Sequence, residues 1–260
     1  MRKNVHEVFA IRYATVKRKS SENFLDGDPH ESAGNMDYFV WLIRSRDNLV
    51  LVDTGFNEEA AAQRGRTFLR CPIDSLPLLN TSRADIKDVI LTHLHYDHAG
   101  NCDLLPGARF FVQADEMQYA TGPHMRHSVL RKAYHVGDIQ DMVSAVYDGR
   151  VVMLNGSKEI RPGIIVHRVG GHTAGLQIVQ VWTDKGWLVL ASDATHFYAN
   201  FQESRPFPIV LHVGEMLDAF EAITELASSP ELIIPGHDPM VMDKFDAPSK
   251  VTEGVVVRLA

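Results

Sequence analysis

Thr92-His93-Leu94-His95-Tyr96-Asp97-His98 places three imidazoles and a carboxylate within six residues, directly behind the apolar run Val89-Ile90-Leu91. Imidazole nitrogen and carboxylate oxygen are the donors that borderline divalent cations such as zinc take. A lone histidine is more often an ordinary core or surface side chain, and His6, His30, His167 and His212 are read that way. Four ligand-type residues at this density need another account. With one residue between them, His93 and His95 point the same way and can chelate one ion, while Asp97 and His98 turn toward a second.

Three further ligand-type residues follow at the same kind of position. Ile164 to Val169 runs into Gly170-Gly171-His172, Leu188-Val189-Leu190 leads to Asp193, and Leu232-Ile233-Ile234 leads to Gly236-His237. Each apolar run reads as a buried strand, so each ligand stands where a strand emerges into a loop, a usual place for reactive groups on a rigid scaffold. Glycines 170, 171 and 236 permit positive φ and let those loops turn sharply. His93, His95, Asp97, His98, His172, Asp193 and His237 thus form a ligand set for two divalent ions, zinc first, with iron, manganese or cobalt as alternatives. The expectation is a two-metal hydrolase. Cys102 is set aside as a thiolate ligand, because five histidines already supply the nitrogen donors.

The remainder of the chain suits one enzyme domain. Its 260 residues, 45% hydrophobic and 23% charged, can bury a large core, and no linker, low-complexity tract or repeat divides residues 1–260. A net charge of -7 disfavours nucleic acid and anionic membranes as partners. The start, Met1-Arg2-Lys3-Asn4, lacks an apolar signal core, and no stretch is apolar enough to span a bilayer, so a cytoplasmic protein is expected. Cys71 and Cys102 are too few for a disulfide framework.

Asp37–Arg44 and Asn48–Asp53 read as a hairpin, followed by a helix that Asn57 caps. Further strands are expected at 88–91, 108–112, 151–154, 164–168, 176–182, 187–190 and 231–234. Val213, Leu217, Phe220, Ile223 and Leu226 recur at helical spacing, and that run stops at Ser228-Ser229-Pro230. Short strands interleaved with amphipathic helices predict two sheets covered by helices. A helical insertion around 113–148, with Met117, Tyr119, Met125 and Tyr134, reads as a lid or homodimer contact at the substrate entrance. Equally, it reads as an exposed insertion with ordinary histidines at 124, 127 and 135. Asn23 to Met36 reads as a polar loop with Phe24, Leu25 and Met36 as apolar contacts, and Arg205-Pro206-Phe207-Pro208-Ile209 as a rigid extended segment near the site.

His93-Leu94-His95-Tyr96-Asp97-His98, preceded by Leu51-Val52-Asp53-Thr54-Gly55 and followed by His172, Asp193 and His237, resembles the metallo-β-lactamase superfamily from about residue 37 to residue 240. The spacing of His172, Asp193 and His237, with Ser192-Asp193-Ala194-Thr195-His196-Phe197-Tyr198, is similar to the N-acyl homoserine lactonase branch. The resemblance implies an α/β fold, the αβ/βα sandwich of two mixed sheets flanked by helices, with a dinuclear site at one edge. It also implies one ion on His93, His95 and His172, the other on Asp97, His98 and His237, and Asp193 between them. Lactonases of that branch carry a tyrosine three residues after the bridging aspartate. Here that position is His196 and the nearest tyrosine is Tyr198, so either is the candidate donor to the substrate carbonyl.

The expected reaction is the opening of a lactone or related small ester by a metal-bridging hydroxide, with an N-acyl homoserine lactone as leading substrate. Asp97 suits proton transfer from the attacking water to the leaving oxygen. Asp53 fits two roles, orienting a ligand imidazole or capping the turn at Thr54-Gly55. The alternatives are a glyoxalase II-like thioesterase, disfavoured by the short segment after His237, and an iron-dependent oxidoreductase of the sulfur dioxygenase kind.

Overall fold

The computed structural model describes residues 4–260, so the charged start Met1-Arg2-Lys3 lies outside the described residues. The strands are β1 (Glu7–Lys19), β2 (Ser32–Arg44), β3 (Leu49–Val52), β4 (Thr67–Phe68), β5 (Asp88–Ile90), β6 (Arg109–Gln113), β7 (Val151–Leu154), β8 (Lys158–Arg161), β9 (Ile164–Arg168), β10 (Gln177–Thr183), β11 (Gly186–Ser192), β12 (Ile233–Pro235) and β13 (Val256–Arg258). The larger sheet runs β13-β1-β2-β3-β5-β6-β7, with β4 also paired to β1. The smaller runs β12-β11-β10-β9-β8. Both are mixed: β3, β5, β6 and β7 are parallel and β1, β2 and β3 antiparallel, while β12 is parallel to β11 and β8 to β11 alternate.

Strand side chains alternate between faces, and here both faces are covered, which is why the runs read as continuously apolar. Val8, Ala10, Phe39, Trp41, Val50 and Val52 of the large sheet meet Val166, Val179, Val181, Leu188 and Leu190 of the small one in the central layer. Their neighbours Phe9, Ile11, Leu42, Leu51, Val89 and Phe110 face the outer helices. On the far side, Ile178, Val189 and Ile233 pack against Ala219 and Ile223 of the helix Val213–Leu226. That helix forms where periodicity places it, but its buried stripe is Met216, Ala219, Phe220 and Ile223, leaving Val213 and Leu217 partly exposed. Asn57 caps Glu58–Arg64 as expected, its side chain accepting from the Ala60 N–H.

Two expectations are corrected. Asn23–Met36 is not a single loop, since β2 starts at Ser32 and pairs with β1 through Met36 and Asn35. The chain also uses β1 and β13, where no strand is expected, to widen the large sheet. Between β6 and β7 lie the helices Ala114–Ala120, Ser128–Arg131 and Val136–Tyr147, with Tyr119 and Tyr134 lining a cleft. Among the described residues no helix is long and apolar enough to cross a membrane.

Candidate metal centre

Thr92 and Ser192 fasten the sheets together where the ligand strands end. The two hydroxyls are 2.8 Å apart, and the Gln177 side-chain amide donates to the carbonyls of Leu91 and Phe111 across the same edge. Asp53 and Ser192 both hold positive φ, 61° and 46°, a conformation that side-chain-bearing residues keep only where the surroundings over-determine it. Gly171 has no substitute for a different reason. At φ 82° its missing Cβ would lie 2.6 Å from the Met216 nitrogen, so only glycine lets the His172 loop close onto the helix start.

All seven sequence-predicted ligands converge at this edge and all are buried. His93, His95, His172 and Asp193 form one group, Asp97, His98 and His237 a second, and Asp193, His196 and His237 a third that overlaps both. In the first, the His95 Nδ1 lies 3.0 Å from His93 Nε2 and 2.9 Å from His172 Nε2. In the second, His98 Nε2 and His237 Nε2 each stand 3.9 Å from Asp97 Oδ2. Asp193 touches both, with Oδ2 3.1 Å from His172 Nε2 and Oδ1 3.1 Å from His237 Nε2 and 3.3 Å from His98 Nε2.

The opposite ring nitrogens decide what these contacts mean. The Nδ1 of His172 bonds the Ile209 carbonyl at 2.6 Å, that of His237 the Asp37 carbonyl at 2.8 Å, and that of His98 the Asp53 carboxylate at 2.7 Å. A carbonyl or carboxylate partner requires Nδ1 to carry a proton, so in the neutral ring each Nε2 presents its lone pair inward. Lone pairs about 3 Å apart repel unless a cation lies among them, and nitrogens bound about 2.0–2.1 Å from one tetrahedral ion stand about this far apart. His98 Nε2, buried and without a hydrogen-bond partner, is the plainest such atom. The residues therefore fit a pair of divalent cations.

Electrostatics agree at His93, His95 and Asp193. Burial, aided by neighbouring imidazoles, holds His93 and His95 well below the usual imidazole range, keeping them neutral donors. Burial would also raise Asp193, but His196, His98, His237 and His172 outweigh it and hold that carboxyl well below its usual range. His98 differs: burial lowers it, yet the carboxylates of Asp193, Asp53 and Asp97 together hold it well above the usual range, so a cation arriving at its Nε2 displaces a proton. Cys102 is not among the clusters, and burial pushes its thiol up, so it remains a core thiol near Thr54.

Asp53 takes the orienting role. Its carboxylate binds His98 Nδ1 and accepts from the backbone N–H and hydroxyl of Thr92, not from the turn that follows it. Asp53→Ala is expected to weaken cation binding at the His98 group by about 10–100-fold with the fold retained. Chelator competition on the purified variant measures this, and unchanged affinity would remove the role.

The two donor candidates part company. His196 lines the inner chamber with its Nε2 3.1 Å from Asp193 Oδ2 and its ring stacked on Phe207 at 3.4 Å. Burial takes it down to about 3, so it is a neutral imidazole. Tyr198 does not line that chamber; it packs in the layer between the sheets, beneath Lys244 at 3.6 Å. Met36 does line the chamber, whereas Phe24 lies in a separate groove and Leu25 is half exposed. Tyr134, expected at the substrate entrance, packs its ring 4.6 Å from that of His95, whereas sequence reasoning missed Glu116, a fully buried acid that ties the His95 and His172 loops together. Glu116 carries no local motif.

The sandwich of two mixed sheets with a dinuclear-type histidine and aspartate site at one edge defines a metal-dependent hydrolase class. The chain belongs to the metallo-beta-lactamase superfamily, whose profile matches residues 34–237. It is 29% identical over 239 residues to N-acyl homoserine lactonase AiiB of Agrobacterium fabrum, covering 83% of each chain. An N-acyl homoserine lactonase of a Bacillus species is 26% identical over 189 residues, 66% of this chain and 70% of that one. Among solved structures, a quorum-quenching N-acyl homoserine lactone lactonase superposes with a TM-score of 0.80 at 21% identity, over 95% of this chain and 98% of that one.

Proposed function

We propose that this protein hydrolyses a lactone or closely related small carboxylic ester, with a neutral or charged acyl substituent reaching into the outer cleft. The observation that supports hydrolysis best is the convergence of five ligand imidazoles around the two-sided carboxylate of Asp193. His93, His95 and His172 would hold one cation and Asp97, His98 and His237 the other, with Asp193 shared. Bound there, two divalent cations supply a water acidic enough to ionise near neutral pH and Lewis acidity at the carbonyl. Lactonase activity is favoured by the relatives' names at modest identity over most of the chain.

The chain's own groups set the rest. Asp97 is the ligand carboxylate with the greatest residual exposure, at 8%, and lines the chamber, so it can accept a proton from water and return it to the leaving oxygen. Its backbone is anchored by the Tyr13 hydroxyl, which donates to the Asp97 carbonyl at 2.8 Å. His196 stands where the branch's tyrosine would, and its neutral ring can donate to a substrate oxygen or hold Asp193 in place. Tyr38, Phe207 and Ile209 shape an apolar wall that excludes bulk water from the reacting carbonyl.

The direct test gives metal-loaded protein a panel of N-acyl homoserine lactones, aromatic lactones, thioesters and β-lactams and records initial rates. Lactone turnover is expected to lead. Thioester turnover with silent lactones overturns the reading in favour of a glyoxalase II-like enzyme, and oxygen uptake with one iron per chain overturns it in favour of an oxidoreductase.

A further inference from the structure

The wall of the substrate cleft carries a charge that the reaction itself does not use. The outer cleft, about 330 Å³, is lined by Arg18, Arg64, Arg66 and Lys132, and by no aspartate or glutamate. The chain as a whole carries -7, so this cationic wall runs against its net charge. Arg18 and Arg66 also line the inner chamber beside His95, Asp97 and His172, which puts both guanidiniums at the throat between cleft and metal centre.

No carboxylate bonds either throat guanidinium directly, although Glu22 acts on Arg18 and Asp97 on Arg66 through space. Arg64 is spent structurally: it donates to the carbonyls of Lys132 and Tyr134 and lies 3.8 Å over the Tyr96 ring. Arg66 uses only Nε, which donates to the Tyr96 hydroxyl at 3.1 Å, and its two terminal nitrogens are left for another partner. Arg18 donates to the neutral Asn23 side chain and the Glu22 carbonyl, and sits 5.4 Å over Phe207. Among the described residues neither Arg18 nor Arg66 forms an ion pair, although Arg12, Arg44, Arg109, Arg161 and Arg168 all do. Two half-buried guanidiniums that repel each other with no carboxylate in ion-pair distance favour an arriving anion, the more so where Asp97 is committed to a cation. The planar fork of arginine matches a carboxylate at two points, and water excluded from the cleft strengthens the pairing.

We propose that the substrate is an anionic lactone or ester whose acyl arm bears a carboxylate, gripped by Arg66 and Arg18 at the throat while the ring carbonyl lies over the metal centre. This rests on the hydrolase reading above and narrows it, because an unsubstituted acyl chain would leave both guanidiniums unpaired. The apolar cleft residues Val129, Leu130 and Ile209 would then flank the methylene arm.

The experiment compares N-succinyl homoserine lactone with its methyl ester on the metal-loaded protein, in native form and as Arg66→Gln and Arg18→Gln. The native protein is expected to prefer the free carboxylate by about tenfold or more in kcat/KM. That preference should lie in KM, shrink as salt rises, and fall toward one in either variant. Equal turnover of acid and ester by the native protein overturns the proposal, as does a preference that survives both substitutions. Calorimetric binding of the corresponding succinyl lactam, which the site cannot open by the same route, separates recognition from chemistry. Arginine-dependent lactam binding without lactone turnover upholds the anion site and sinks the lactonase reading. Lactam affinity indifferent to both arginines sinks the anion site whatever the rates.

Discussion

Asp193→Ala is expected to abolish hydrolysis and to cut the metal content of reconstituted protein from two ions per chain to one or none. Asp193 stands within reach of both groups, at 3.1 Å from His172 on one side and 3.1 Å from His237 on the other. It is also the main counter-charge to the surrounding imidazoles, which is why its carboxyl is held so low despite burial. Removing one partner from a buried charge network costs about 3–5 kcal/mol, which corresponds to about 10²–10⁴ in an equilibrium constant. Elemental analysis after dialysis, alongside initial rates, measures both effects. His167→Ala is the control, since that ring bonds Ser157 and Gln180 away from the centre and should leave metal content intact. An Asp193→Ala protein that keeps two ions and its rate would dissolve the shared-carboxylate arrangement.

The ligands were legible because their chemistry is local. His-x-His-x-Asp-His is a dense signal, and the apolar runs before His172, Asp193 and His237 announce strand ends without any knowledge of pairing. The hairpin of β2 and β3 and the Asn57 cap are likewise written in neighbouring residues. What stayed hidden depends on distant partners. Val8-Phe9-Ala10-Ile11 becomes a strand because β13, from the other end of the chain, and β2 cover its two edges, and nothing near residue 8 says so. The helix Val213–Leu226 was readable as a helix, but its buried face was set by where Ile178 and Ile233 stand on the small sheet. Tyr198 and His196 are two residues apart, and no spacing rule distinguishes which of them faces the chamber. Arg18 and Arg66, from β1 and a loop before β4, meet only in three dimensions.

Glu116→Ala is expected to be the most damaging substitution outside the ligand set, lowering the melting temperature by about 10 °C and loosening metal binding at the His93 group. Glu116 is fully buried, and four donors reach its two oxygens. Oε1 accepts from the Leu94 N–H and the Tyr134 hydroxyl, both at 3.0 Å. Oε2 accepts from the Thr173 hydroxyl at 2.6 Å and the Gly175 N–H at 2.9 Å. Leu94 lies between His93 and His95, and Thr173 directly follows His172, so one carboxylate fixes the loops that carry all three imidazoles of that group. Four donors and no acceptor face it, a set that only an acceptor on every side can satisfy. Deleting it strands them, at about 1–3 kcal/mol for each buried group left unpaired, offset where water enters the vacated volume. A net loss of about 3–5 kcal/mol corresponds to roughly 10 °C in a chain of this size. Glu116→Gln keeps the volume but turns an amide N–H₂ toward two donors, so it should fall between native and alanine. Thermal melts with and without added zinc separate the two consequences. The stabilisation that zinc confers should shrink in both variants, because a ligand stabilises only as far as the folded site prefers it. If the alanine variant melts with the native protein and gains as much from zinc, the loops are held by their own backbone bonds and the carboxylate has no positioning role.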